Sequence, residues 1–169
     1  MVRCDSKVWV ECRLVPSTEL IIPYFVVQDL FEPQPEETKG ASLFFMRFIL
    51  HDWPHDFCVI IMKHLRAAAG PDTKLLVSDH VLSYACTVRE GETEFANIPG
   101  AILPPVPQPL LPNLGRGGIS AYQMDYQMLV LFNSQERTVG EFQKLGEETG
   151  WKLVSVKRGL HSFVLFSPM

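Results

Sequence analysis

Apolar residues fall into short runs separated by stretches rich in proline, glycine and charge, and these runs predict alternating strands and helices. Runs of aromatic and β-branched residues predict three buried strands, which lie at residues 20–33, 41–50 and 73–82. The first part of the chain, residues 1–19, has no clear period and predicts no particular element.

A helix is predicted between the second and third of these strands. Its apolar residues share one face at a spacing of about 3.6, and they are Phe57, Ile61, Leu65 and Ala68. Pro54 suits the first turn, where Asp52 or Asp56 could satisfy free N–H groups. Gly70 and Pro71 are expected to end the helix.

The second half of the chain begins with a long Pro/Gly-rich loop, at about residues 83–119. Two helices are predicted after it, at residues 121–132 and 138–150. Thr138 and Glu141 form a capping-box pattern at the start of the second helix. The chain then predicts two closing strands with a short connection between them, which is typical of an antiparallel hairpin.

This order of elements predicts an α/β fold. Alternation in the first half implies parallel strands with crossover helices, so we expect a mostly parallel sheet with an antiparallel C-terminal hairpin. The length of 169 residues favours one domain, here residues 20–169 after a poorly defined segment 1–19.

Composition excludes several classes of function. A net charge of −4 gives no broad electrostatic attraction to nucleic acid. The longest apolar run, residues 41–50, contains Arg47 and is about half the ~20 residues of a membrane helix. Four scattered cysteines without a CxxC pair favour free thiols in a reducing compartment. We therefore expect a cytoplasmic protein with no nucleic-acid or membrane partner.

Polar side chains stand where three predicted strands end. Asp29 ends the first, His51 follows the second, and Asp79 ends the third. Ligands of open α/β sheets bind at the carboxyl ends of strands, so these groups would converge on one rim if the strands are neighbours. Each residue also has a plain structural interpretation, as a turn residue for the two acids and as a capping or packing residue for His51.

Other chemistries find little support in the sequence. His51 and His55 have the i, i+4 spacing of a zinc-binding pair, but Pro54 lies between them at a helix start. The chain contains no Gly-x-Ser-x-Gly nucleophile motif and no glycine-rich phosphate-binding loop. We therefore expect neither a metal site nor a nucleophilic serine.

Three separated motifs resemble a known family. They are "FMRFILHDWPHDFCVIIMKHLRAA", "KLLVSDHVL" and "DYQMLVLFNSQERTVGEFQKLGEETGW". In this order they resemble the C-terminal catalytic half of the S-adenosylmethionine-dependent O-methyltransferases of the caffeic-acid and flavonoid type, in particular the fungal members. The resemblance covers roughly residues 20–169 and implies part of a Rossmann-like class I methyltransferase sheet.

The resemblance implies a role for nine residues. The general base and its acidic partners would be His51, Asp79 and Glu136. The residues on the S-adenosylmethionine side would be Asp29, Leu30 and Arg47. Those near the acceptor would be Asp52, Met128 and Phe132. Asp79 is shorter than the glutamate that plant members generally carry there, so its reach to the base is less than theirs.

The family's glycine-rich loop and the acid that binds the cofactor ribose have no counterpart in this sequence. We therefore expect impaired cofactor binding, and a homodimer or other association through an exposed sheet edge. The first hypothesis is an O-methyltransferase acting on a phenolic or similar hydroxyl of a small molecule. The second is a truncated, catalytically inactive relative that acts by binding or association. An unrelated α/β domain is the third.

Overall fold

The computed structural model describes residues 7–10, 26–87, 95, 97–104, 106–159 and 161–169. The helices within these residues are α1 (His55–Ala68), α2 (Ile119–Phe132) and α3 (Val139–Thr149). The strands are β1 (Lys7–Val10), β2 (Val26–Asp29), β3 (Leu43–Arg47), β4 (Lys74–Asp79), β5 (Val81–Leu82), β6 (Arg137–Thr138), β7 (Trp151–Lys157) and β8 (Ser162–Pro168).

The main sheet has the strand order β3-β4-β8-β7. β3 and β4 are parallel, whereas β8 runs antiparallel to both of its neighbours. β3, β4 and β7 therefore point the same way, and only β8 opposes them. The α/β class and the antiparallel C-terminal hairpin are confirmed, and β5 and β6 add a short parallel bridge beside this sheet.

The predicted first strand is placed differently from expectation. Of the predicted range 20–33, the structure describes residues 26–33, where the strand is β2, which pairs antiparallel with β1 in a separate two-stranded ribbon. β1 lies in the segment 1–19, for which the sequence indicated no particular element, while residues 11–25 lie outside the described residues. The cause is that a strand's pairing depends on a distant partner, which local sequence does not reveal.

Helix α1 forms where predicted, but it begins differently. Pro54 occupies the N-cap position, and its carbonyl accepts the N–H groups of Phe57 and Cys58, each at 3.1 Å. No side chain caps this end, so the capping role expected for Asp52 or Asp56 was wrong. Phe57, which was expected on the apolar face, is exposed in the first turn of the helix. Its ring packs edge-on against that of Phe31, with centroids 5.4 Å apart.

Helix α3 starts at the predicted capping box. The Glu141 side chain accepts the N–H of Thr138 at 2.8 Å, and the Thr138 hydroxyl accepts the N–H of Glu141 at 3.4 Å. Gly150 ends the helix with a φ of 81°, a left-handed conformation that favours glycine. Local sequence rules are therefore sufficient to place α3.

The core lies between the sheet and two helices. α1 and α3 pack against each other, and their apolar faces join one cluster with alternate side chains of the sheet. Trp151 of β7 is fully buried and donates its indole N–H to the carbonyl of Met62 at 3.1 Å, which ties the sheet to α1. On the opposite face of the sheet, large apolar side chains are exposed, namely Leu43, Phe45, Val154 and Phe163.

Helix α2 stands apart from this core. Many of its large apolar side chains are exposed, among them Tyr126, Leu129, Val130 and Leu131. Among the described residues, none of the helices is both long and apolar enough to cross a membrane.

The Pro/Gly-rich loop is fastened to the sheet. The N–H of Val156 in β7 donates to the carbonyl of Pro99 at 2.8 Å. Arg158 donates to the carbonyls of Val81 and Ala101, at 3.0 and 3.1 Å. These contacts hold the described part of the loop against β5 and β7, beside the carboxyl end of β4.

Candidate active site

The turn that carries His51 begins with a strained residue. Phe48 follows β3 with a φ of 55°, and its N–H donates to the carbonyl of Ser78 at 3.0 Å. A left-handed conformation is unfavourable for a bulky residue, so the surrounding contacts must hold it. Its ring stacks on the His51 imidazole with centroids 5.4 Å apart, and the chain then forms a 3-10 turn at Leu50–Asp52.

His51 faces a buried carboxylate from a distant part of the chain. Its Nδ1 lies 2.9 Å from Oε1 of Glu136, whose side chain is 0% exposed. A carboxylate oxygen accepts, so Nδ1 carries the proton and Nε2 keeps the lone pair. Nε2 is 3.4 Å from Oδ1 of Asp52, longer than an ordinary hydrogen bond. The ring is therefore fixed on one side and basic on the other.

The charges around His51 raise its pKa above 6.5. Burial lowers the pKa, but the hydrogen bond with Glu136 and the negative charges of Asp79, Glu136 and Asp52 outweigh it. The imidazolium form is thus favoured by its neighbours, which helps the ring to accept a proton.

Asp79 lies at the end of β4 and is 1% exposed. Neither of its carboxylate oxygens has a hydrogen-bond partner among the described residues. Burial raises its pKa to about 7, with His51 and Arg137 acting in the opposite direction and Glu136 acting in the same one. The structure therefore brings Asp79 and His51 close enough to interact as charges, without a direct hydrogen bond, and the role of Asp79 as a partner of the base stays a prediction.

Asp52 is partly exposed on the Nε2 side of the base. Burial raises its pKa, His51 lowers it, and the charge of Glu136 raises it further. Three carboxyl groups thus share the surroundings of one imidazole, and the guanidinium of Arg137 is a second positive charge near Asp79.

Sequence reasoning missed the residues that hold the turn in place. Ser134 donates its hydroxyl to the carbonyls of His51 and Trp53. Arg137 is buried and donates to the carbonyls of Leu50 and Trp53. In sequence both stand in the polar stretch "SQERT", which reads as an exposed loop, and no local signal marks them as buried.

The three residues predicted on the cofactor side are dispersed. Asp29 ends β2 in the separate ribbon, where its carboxylate accepts the N–H of Phe31 at 2.9 Å in a tight turn. Leu30 is 1% exposed and packs in the core. Arg47 ends β3 with its guanidinium 4.9 Å from the centre of the Phe48 ring. Contact with a cofactor stays a prediction for all three.

Two of the three residues predicted near the acceptor lie on α2. Met128 is buried and Phe132 is 38% exposed, at the end of the helix. An apolar cavity of about 400 Å³ opens further along, between the Pro/Gly-rich loop, β5 and the first turns of α2. Tyr122 borders this cavity and donates its hydroxyl to the carbonyl of Ser83 at 2.7 Å.

The second histidine of the motif is engaged elsewhere. Nε2 of His55 lies 2.9 Å from Oε2 of Glu148 on α3, and both side chains are partly exposed. His51 and His55 therefore face different carboxylates. Within the part of the chain that the structure describes, no group of three or more His, Cys, Asp or Glu residues could hold a metal ion.

Comparison with known proteins agrees with the fold and the motifs. Residues 15–98 match the O-methyltransferase domain family. The chain is 44% identical over 130 residues to a 4-O-methyltransferase of Phanerochaete chrysosporium, a match that covers 77% of this chain and 27% of that protein. It is 42% identical over 152 residues to an O-methyltransferase of Armillaria gallica, covering 90% of this chain and 31% of that protein.

A solved structure shares the fold. An O-methyltransferase from neocarzinostatin biosynthesis, in complex with S-adenosylmethionine and 2-hydroxy-5-methyl naphthoic acid, superposes with a TM-score of 0.59 at 21% identity. The match covers 85% of this chain and 33% of that one. The chain thus spans about three-tenths of the length of the curated relatives it matches. On its motifs, its fold and these matches, the chain belongs to the O-methyltransferase family.

Proposed function

We propose that the chain carries the proton-abstracting half of an O-methyltransferase site, in which His51 deprotonates a phenolic or similar hydroxyl of a small molecule. The observation that carries this proposal is the 2.9 Å contact between His51 and the fully buried Glu136. A histidine held by a buried acid, with Asp79 as a second acid nearby, suits a general base.

The proposed step is a proton transfer to Nε2. A phenol has a pKa of about 10 and is a poor nucleophile at neutral pH, so removing its proton as the new bond forms speeds the reaction, typically by ~10²–10⁴-fold. Glu136 accepts from Nδ1 and stabilises the imidazolium that results. The long contact of Asp52 with Nε2 leaves that nitrogen available to an acceptor hydroxyl.

The described residues suit a general base at His51 better than they suit a binding site for S-adenosylmethionine, the methyl donor. S-adenosylmethionine, when bound, supplies an already activated methyl group. Gly40 is the first glycine in the sequence, and it lies before β3, whereas His51 lies after β3. The backbone N–H of Gly40 donates to the carbonyl of Ala68 at 2.8 Å. No glycine-lined cradle for the cofactor therefore stands beside the base in the described residues.

A second candidate function is a catalytically inactive methyltransferase-like module that acts by binding or association. The exposed apolar face of the main sheet, which includes Leu43 and Phe45, is a surface that such a module could use.

Calorimetric titration with S-adenosylmethionine separates the two candidates. The enzyme function requires heat of binding at cofactor concentrations up to about 1 mM. A dissociation constant of about 1 mM corresponds to a binding free energy of roughly −4 kcal/mol. If binding occurs, His51→Gln should abolish methyl transfer to a phenolic acceptor and keep the cofactor affinity. His55→Gln, an exposed histidine four residues along, is the matched control and should keep both. Absence of heat would exclude the enzyme function for this chain and leave the inactive module.

A further inference from the structure

Arg137 is a buried arginine beside the base. It is 1% exposed and follows Glu136 directly in the chain. One terminal nitrogen of its guanidinium donates to the carbonyl of Leu50, and the other lies 3.2 Å from the carbonyl of Trp53 and from Sγ of Cys58. Burying a guanidinium is costly unless its N–H groups find acceptors, so these contacts offset a large desolvation penalty.

Two of the three acceptors of Arg137 are carbonyls of the segment that carries His51, and the third is Sγ of Cys58 in α1. This segment, the 3-10 turn Leu50–Asp52 with Trp53 directly after it, has no side-chain cap at its start, and α1 has none at Pro54. Side chains from another part of the chain donate hydrogen bonds to its carbonyls instead. Arg137 donates to the carbonyls of Leu50 and Trp53, and the Ser134 hydroxyl shares its one proton between the carbonyls of His51 and Trp53.

One four-residue segment, 134–137, therefore holds both the backbone and the ring of the base. Glu136 fixes the imidazole, while Ser134 and Arg137 hold the backbone of the segment that carries it. A displacement of about 1 Å in a reacting group can cost ~10²-fold in rate, so such fastening bears directly on proton transfer.

We propose that Arg137 is a positioning residue whose guanidinium, together with Ser134, holds the Leu50–Trp53 turn so that His51 stays hydrogen-bonded to Glu136. An effect of Arg137 on catalysis rests on the proposed function, whereas its effect on the position of His51 does not. The planar fork of arginine reaches two carbonyls and a sulfur at once, which a lysine ammonium on a single stem cannot reproduce.

The test reads the state of His51 directly by side-chain ¹⁵N NMR of the full chain, with His51→Gln to assign its signals. Arg137→Met removes the fork and the charge, Arg137→Lys keeps the charge, and Ser134→Ala removes the other fastening. Arg66→Met is the matched control, because Arg66 also donates to two backbone carbonyls, those of Gly150 and Met169.

All three variants at positions 134 and 137 are expected to lower the population of the His51 tautomer that carries its proton on Nδ1. They are also expected to lower the pKa of His51, because a weaker hydrogen bond with Glu136 offsets less of the effect of burial. The control should lose stability to urea and leave His51 unchanged. If methyl transfer is measurable, Arg137→Lys should lower kcat by ~10²-fold with the acceptor KM retained.

Two results would overturn the proposal. The first is an unchanged tautomer and pKa of His51 in Arg137→Lys and Ser134→Ala. The second is full recovery of the wild-type signals by Arg137→Lys, which would assign Arg137 a role through charge alone. If Arg137→Met does not fold, the His51 signals of Arg137→Lys and Ser134→Ala still test the proposal. A chain that binds no S-adenosylmethionine would defeat the proposed function and leave this NMR result standing.

Discussion

Asp79 provides the sharpest quantitative prediction. Its carboxyl is buried without a hydrogen-bond partner among the described residues, and its pKa rises from 3.8 to about 7. The charged groups facing it are His51, Glu136, Arg137 and Asp52. We predict that Asp79→Asn becomes progressively more stable than the wild type as the pH rises, because the variant never has to bury a negative charge.

The magnitude follows from linkage between protonation and folding. A group whose pKa is raised in the folded state contributes most to stability below its unfolded pKa, and that contribution is lost as the pH rises through its folded pKa. For Asp79 the loss runs from about pH 3.8 to about pH 7. At 1.36 kcal/mol per pKa unit it amounts to at most roughly 4 kcal/mol, a large share of the ~5–15 kcal/mol of a folded domain.

The assay is urea unfolding of both proteins at about pH 4 and about pH 8, with the free energy of unfolding extrapolated to water. Any cost of burying an unpartnered amide in Asp79→Asn is independent of pH and cancels in this comparison. Asp72→Asn, at an exposed turn after α1, controls for the loss of one charge. A stability difference between Asp79→Asn and wild type that is equal at the two pH values would refute the reasoning.

Two further predictions concern catalysis and association. If His51 is the general base as proposed, it must be neutral to act, so kcat/KM should rise with pH through a pKa above 6.5. Glu136→Gln should move this rise to lower pH, and a rise centred below pH 6.5 in the wild type would contradict the proposed charges. Among the described residues β3 is an outer strand, so Phe45→Lys should reduce self-association in sedimentation experiments; loss of association in Leu131→Lys instead would assign it to α2.

Local rules predicted the elements whose signals lie within a few residues. Thr138 and Glu141 cap α3 as their spacing indicates, and Gly150 ends it. The same rules failed at α1, because Pro54 takes the N-cap position that an aspartate was expected to fill. They also failed for β1 and β2, whose partners lie outside any local window.

The candidate site was only partly readable from the sequence. His51 and Glu136 are 85 residues apart, and only the resemblance to a family predicted that they are partners. Strand ends alone suggested Asp79, and the structure brings it beside His51. The left-handed backbone of Phe48 and the burial of Arg137 carry no local signature, because both depend on neighbours supplied by other elements.

These contacts explain how the base can be complete in a chain that spans about three-tenths of its relatives' length. The direct contacts of His51 come from Phe48, Asp52, Ser134 and Glu136, and none of these residues lies in the ribbon of β1 and β2. Asp29 and Leu30, which are predicted on the S-adenosylmethionine side, lie at and just after that ribbon. The residues predicted for the base and for the donor thus lie on different elements, which meet where the rings of Phe31 and Trp53 pack edge to face at 4.7 Å. The protonation state of His51 should accordingly be the same whether or not the chain can bind S-adenosylmethionine.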